Sequence, residues 1–344
     1  MVLQRILKAV LPALFAVGLI SCASTRDLPT ATTPSGDALM GDWEGYRVTP
    51  GGRVLPLAVQ LISYGDSNYD ATVLESFLQR DPERFVIPLH KEGDAFTTTA
   101  DPGFRATVNN GVVNGSAPRS NIASFTLRKI TRLSPTLGAQ PPAGATVLFD
   151  GKDLSQWMHP RKAGAGQTGD SVAWKLVNGA MEVARGGGDL MTKKKFTDCD
   201  LHIEFRSPFM PGSRGQARGN SGVYMQGRYE IQVLDSYGLT GADNECGGIY
   251  QVAPPRVNMC APPGQWQTYD ITFRAPRFDA NGNKTASAVV TVRHNGIIIH
   301  ENLVIPGPTG GAMDNSPQEP GGLLLQDHGN PVQYRNIWLV ESGR

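Results

Sequence analysis

The chain is poor in the residues that announce several common functions. Its 344 residues hold four cysteines and six histidines. Neither type recurs at metal-ligand spacing, because no CxxC pair, HExxH run or EF-hand-like loop occurs, so no dedicated metal site is legible. Lys+Arg (32) and Asp+Glu (31) leave a net charge of +1. With no basic run beyond Lys193-Lys194-Lys195, read as a solvated turn, no global field favours nucleic acid. Convincing amphipathic helical periodicity is missing. So is a comfortable membrane span: the apolar run Ala9 to Ile20 falls short of the roughly 20 residues a bilayer demands.

That short run has a different meaning. Arg5 and Lys8 precede it, as in a signal peptide (residues 1–21). Its end, Leu19-Ile20-Ser21-Cys22, resembles a bacterial lipobox, which implies cleavage before Cys22 and lipidation of its thiol. The expected product is a lipoprotein anchored through its N-terminus, facing the outer membrane or periplasm of a Gram-negative-type bacterium. Residues 22–36, polar and Pro-rich, read as a tether. Export would let Cys246 and Cys260 close a disulfide over the loop between them, leaving Cys199 as a buried strand-end thiol.

What remains is turn-rich. Forty Gly and 25 Pro punctuate short Val/Ile/Thr/Phe runs, the pattern of an all-β protein. Residues 37–133 carry strand-like pieces at Leu55–Ile62, Tyr69–Leu74, Phe85–His90, Ala95–Thr99, Phe104–Val108 and Phe125–Ile130. They predict a small antiparallel β domain with no cluster of titratable groups. Asn109-Asn110-Gly111 and Asn114-Gly115 read as turns. Residues 134–144 (SPTLGAQPPAG) read as a linker stiffened by three prolines. About ten further strands over residues 145–344 predict two stacked antiparallel sheets, a jelly-roll β-sandwich.

One stretch carries the chemistry. In NSGVYMQGRYEIQVLDSY (220–237), Gly222 to Met225 and Tyr229 to Leu234 read as a hairpin. Ile231 and Val233 point to one face, Glu230 and Gln232 to the other. A β-bulge at Leu234 would return Asp235 to the face of Glu230. Glu230 is the expected base or proton carrier, with Asp235 beside it. Gln232 suits a ligand hydroxyl, and Asn220 either a ligand oxygen or a turn cap. Trp157, Tyr224, Tyr237 and Trp266 are candidate stacking faces, each also suited to core or rim. Glu204 projects from the outward face of CDLHIEFR (199–206). His328, in the strand-end segment Gln326-Asp327-His328-Gly329, suits acid/base work near neutral pH. Asp327 and Arg335 complete the expected substrate-binding set.

LFDGKDLSQW (148–157), DLHIEFR (200–206), GNSGVYMQGRYEIQVLDS (219–236), CGGIY (246–250) and LLLQDHGNPVQYRNIWL (323–339) together resemble the bacterial 3-keto-disaccharide hydrolase family. The resemblance runs from about residue 145 to residue 341. It implies a concanavalin A-like lectin/glucanase jelly roll, a carbohydrate substrate, and cleavage of glycosides already oxidised to a ketone at C3. It also suggests a structural calcium, for which Asp150 and Asp200 are the nearest candidates. The row Glu230, Gln232, Asp235 is also similar to the bulged E-x-D-x-x-E strand of laminarinase-like glucanases. Gln in the middle position and a short Asp at the end depart from it. A carbohydrate-binding module without catalysis, or a protein-binding sheet face, would use the same fold.

Overall fold

The computed structural model describes residues 36–80, 84–160 and 173–342. The expected signal peptide, the expected lipidation site Cys22 and the expected tether up to residue 35 lie outside the described residues. Two single 3₁₀ turns, Pro118–Ser120 and Gly215–Ala217, are the only helical pieces among the described residues. Everything else regular is strand, so the protein is all-β.

Eight strands form a closed antiparallel barrel: β1 (Gly41–Val48), β2 (Val54–Ser63), β3 (Asn68–Leu74), β4 (Phe85–Glu92), β5 (Ala95–Thr97), β6 (Arg105–Asn109), β7 (Val112–Ala117) and β8 (Ile122–Ile130). Each pairs with the next, and β1 returns to β8, which closes the sheet on itself. Alternation drives it: RATVN in β6 reads exposed, buried, exposed, buried, exposed, the period of a strand with one face on a core. Asn110 and Gly111 turn the chain at φ 48° and 73°, as their residue types predict. Asn114 and Gly115, also expected as a turn, instead lie mid-strand in β7, where Asn114 Oδ1 accepts from Thr126 Oγ1 at 2.8 Å.

The following strands are β9 (Thr146–Phe149), β10 (Trp157–Met158), β11 (Lys175–Val177), β12 (Ala180–Glu182), β13 (Leu190–Thr192), β14 (Cys199–Arg206), β15 (Ser221–Met225) and β16 (Tyr229–Val233). After them come β17 (Gln267–Arg274), β18 (Arg277–Phe278), β19 (Lys284–Ala286), β20 (Ala288–His294), β21 (Ile297–Ile305), β22 (Leu324–Leu325) and β23 (Gln333–Glu341). They build a five-stranded sheet, β10-β13-β22-β15-β16, and a larger one, β11-β12-β23-β14-β17-β20-β21, with β9 paired to β23 and β18-β19 as a separate ribbon. Side chains from both sheets, such as Ile231 and Val233 against Tyr269 and Ile271, share one buried core. This is the expected sandwich.

Barrel and sandwich meet through specific contacts. Met40 and Ile62 join the sandwich core. Asp42 accepts from Tyr237 Oη at 2.8 Å and pairs with Arg132 Nε at 2.8 Å. Thr72 Oγ1 donates to Gly238 O at 3.1 Å. Gly238 has φ 75°, and a β-carbon there would come within 2.3 Å of Ile62 Cδ1. Gly238→Ala should therefore cost about 2–4 kcal/mol from left-handed strain plus overpacking. Urea unfolding would measure it, and Ile62→Val, which removes the clashing carbon, should recover part of the loss.

The segment 134–140 lies on the outer face of the larger sheet. Ser134 Oγ meets Thr268 Oγ1 at 2.6 Å, Thr136 Oγ1 donates to Asp270 Oδ2 at 2.6 Å, and Asn336 Nδ2 donates to Ala139 O at 2.9 Å. The expected Cys246–Cys260 disulfide is absent, and both residues are free buried thiols, as is Cys199. The two thiols hydrogen-bond each other, and each also reaches an oxygen: Cys246 Sγ lies 3.2 Å from Tyr269 Oη and Cys260 Sγ 3.5 Å from Leu234 O.

Candidate active site

The β15–β16 hairpin forms as its alternation predicts. It turns through Gln226 and Gly227, both left-handed at φ 54° and 68°, the conformation that matches the twist of paired strands. Tyr229, Ile231 and Val233 enter the core, which leaves Glu230 on the outer face of the five-stranded sheet. Tyr224 is its direct cross-strand partner. A β-carbon on Gly222 would sit 2.5 Å from Glu230 Oε1, so the missing side chain is what lets the carboxyl lie across β15.

Around this carboxyl the face is mostly apolar. Tyr224, Met191 and Leu324 cluster there, with Met158 and Met313 packed on them. The polar groups are few and held. Tyr224 Oη donates to Gly310 O at 3.1 Å and accepts from Gln326 Nε2 at 3.2 Å. Gln326 is itself placed by its N–H on Gly222 O at 3.0 Å. Glu230 N–H donates to Thr309 Oγ1 at 2.9 Å, tying the 309–311 segment to the edge of β16. Tyr250 borders the same segment, 2.8 Å from where a Gly310 β-carbon would be.

These surroundings set the protonation. Burial pushes Glu230 up to about 8, the nearby Asp189 charge adds to the rise, and the Tyr224 hydroxyl offsets part of it. Burial also raises Tyr224, so its phenol stays a proton donor. A carboxyl that titrates near 8 beside a fixed phenol is matched to proton transfer at physiological pH.

Residues 144–340, more than half the chain, match the family model described as the 3-keto-alpha-glucoside-1,2-lyase-like domain. The chain belongs to that family. Among solved structures, it is similar to a "putative glycosyl hydrolase" from Parabacteroides distasonis, at 37% identity and a TM-score of 0.53, covering 58% of this chain and 85% of that one. A second so described, from the same organism, has 20% identity and a TM-score of 0.41, covering 58% and 94%. No curated protein sequence matches the chain.

Not every expected residue of the lyase-like domain reaches the Glu230 face. Asp235 does not. β16 ends at Val233 with no register shift against β15, and Asp235 N–H turns away to Arg218 O at 3.1 Å. Its carboxylate is held by Arg218 Nε at 2.6 Å and by Tyr237 N–H at 3.3 Å. The expected bulge is therefore absent, and with it the glucanase-like row. Gln232 keeps the expected face but folds back on its own strand, its Oε1 accepting from Val233 N–H at 3.0 Å.

Glu204 and Arg335 are corrected more sharply. They lie on the larger sheet, on the face turned away from the shared core. Glu204 Oε2 accepts from Arg335 Nε at 2.6 Å, and Oε1 accepts from Gly138 N–H at 2.6 Å and Asn336 Nδ2 at 2.9 Å. Both oxygens of Glu204 are thus engaged, and Arg335, stacked over the Trp266 ring at 4.1 Å, stands with it on the sheet face opposite the shared core, away from Glu230.

His328 is exposed, in the loop after β22. Its neighbour Asp327 is a clamp for that loop, accepting from Gly188 N–H at 3.0 Å and Gly329 N–H at 2.8 Å while its own N–H donates to Asp189 Oδ1 at 2.9 Å. Asn220 ties the same loop through its N–H to Asn330 Oδ1 at 2.8 Å and caps the 3₁₀ turn through Gln216 O. Asp189, Gln326 and His159, whose Nδ1 lies 3.2 Å from Asp189 O, belong to this end of the site and were not singled out from sequence. Asp189 shares the parity of outward Met191, but alternation over three residues carries little signal.

Among the described residues, no group of three or more His, Cys, Asp or Glu side chains is arranged to hold a metal ion. Asp150 is bonded to Lys152 and Asp200 to Thr272.

Proposed function

We propose that this protein cleaves 3-keto-glycosides at the outer face of its five-stranded sheet, with Glu230 as the base. The observation that carries the reading is a desolvated carboxyl beside a protonated phenol, on the family's own hairpin. A ketone at C3 acidifies the C2 proton. Glu230, once ionised, takes that proton, and the C–H electron pair moves into a C2–C3 enolate. Tyr224, turning its one proton from Gly310 O to the substrate, supports the charge on the C3 oxygen by donating a hydrogen bond. The enolate then expels the C1 oxygen, forming a C1–C2 double bond, and the departing alkoxide takes a proton as alcohol. Water addition to the resulting enone completes net hydrolysis.

A second reading has one specific support. A carboxyl near 8 is mostly protonated at neutral pH, and Asp189 supplies a second acid nearby, as in direct glycoside hydrolysis with Glu230 as general acid. The purified protein, offered a 3-keto-disaccharide and its unoxidised parent, separates the two. Free sugar and an enone absorbance from the keto substrate alone are expected. Cleavage of the parent alone would replace the proposal with direct hydrolysis. Affinity without turnover of either would leave a binding module.

A further inference from the structure

The barrel encloses a cavity of about 70 Å³ whose whole wall is apolar, including Trp43, Ala71, Phe96, Phe104, Phe125 and Leu127. Part of its lining is more open than the strands that meet at the centre of the sandwich. Val59, Val73, Leu89, Val113 and Phe125 keep 7–8% of their surface reachable, whereas Tyr229, Ile231, Val233, Tyr269, Ile271 and Phe273 keep 0–2%. A closed eight-stranded barrel has an interior just wide enough to be filled by side chains or to hold one small ligand. At roughly 10–15 Å³ for each water-sized sphere, this space takes about five to seven heavy atoms. With no polar group on the wall, water gains no partner there.

The barrel also has a side opening. β4 pairs with β5 only through His90–Glu92, so the edge from Phe85 to Leu89 has no strand beside it. Across that gap β5 has stopped at Thr97, and the next chain is the Phe104–Arg105 entry to β6. Phe85 and Ile87 from this edge of β4, and Phe104 at the entry to β6, all line the cavity. Arg105 stands exposed at the rim, its Nη1 fixed by Pro102 O at 3.0 Å and Phe104 O at 2.7 Å.

We infer that the barrel is a binding site for the hydrocarbon end of an anionic acyl chain, entering beside β4, with Arg105 as the cation for its head group. The size sets a short chain segment, the wall excludes polar occupants such as sugars, and the rim supplies one positive charge. This site is separate from Glu230 and does not depend on the reaction proposed there.

Calorimetric titration of the full chain with octanoate, 1-octanol and glucose tests it. Saturable one-to-one binding of octanoate, with a raised melting temperature and no response to glucose, is expected. Ala71→Leu, which fills the cavity, should weaken octanoate and octanol at least tenfold. Arg105→Gln should weaken octanoate about fivefold, an exposed charge-assisted contact, and leave octanol unchanged. No saturable binding to the parent protein, or equal binding to Ala71→Leu, overturns the site. An unaltered octanoate affinity in Arg105→Gln overturns the head-group assignment.

Discussion

Glu230→Gln is expected to abolish turnover and at the same time make the protein harder to unfold at neutral and alkaline pH. Loss of a positioned base lowers kcat by about 10²–10⁴-fold. The stability gain follows from the same burial. Glu230 is held near 8 in the folded protein against an ordinary 4.5, so folding favours its protonated form. Its contribution is fully present below pH 4.5 and is lost as pH rises through about 8. At pH 7 the folded state carries a cost of about 3 kcal/mol from this one group, at 1.36 kcal/mol for each pH unit above 4.5. Glutamine keeps the shape without the charge. Urea unfolding should therefore separate variant and parent at pH 8 and superimpose them at pH 4. A kcat/KM that climbs through about pH 8 identifies the base, whereas one that falls there identifies a general acid. A variant no more stable than its parent at pH 8 would mean that Glu230 is solvated and not tuned.

Glu204→Ala should have the opposite character, with a large stability loss. Burial opposes the ionisation of Glu204, yet His202, Asn336, Arg335 and the Gly138 N–H together hold it down at about 2. His202 Nδ1 lies 2.6 Å from Asp270 Oδ1 and its ring stacks on Trp338 at 5.0 Å. Removing the carboxylate leaves the Gly138 N–H unsatisfied and takes the anion from Arg335, which stays partly solvated and stacked on Trp266, a loss of about 2–3 kcal/mol. The pH sign is set by depression from 4.5 to about 2: the contribution is present above pH 4.5 and is lost as pH falls through about 2. Unfolding free energies of variant and parent, measured from pH 7 down to pH 3, should draw closer below pH 4.5 without meeting. A loss under 1 kcal/mol at pH 7 would show that segment 134–140 is not held by this carboxylate.

The two carboxyls were not distinguishable in the sequence. Each alternates with apolar residues on a strand, Glu230 in YEIQV and Glu204 in LHIEF, and each is correctly assigned to the face away from the core. The faces themselves differ. Glu230 stands among Tyr224, Met191 and Leu324, with one phenol for company. Glu204 is covered by a segment about 66 positions earlier in the chain. Asp235 shows a similar limit. Whether Leu234 makes a bulge or simply ends the strand depends on Arg218, 17 residues upstream, and no local pattern carries that ion pair.

By itself the sequence determined the all-β class, the Glu230 hairpin, and the inward and outward faces of the longer strands. All of these follow from period-two alternation and turn chemistry, which act over a few residues. Tertiary structure alone decided which outward groups share an environment. It lifted Glu230 to near neutrality by burial, neutralised Asp235 and Glu204 with distant partners, and left a hollow in the barrel. Those outcomes depend on desolvation, charge pairing and packing, which come from whatever the fold brings within a few ångströms.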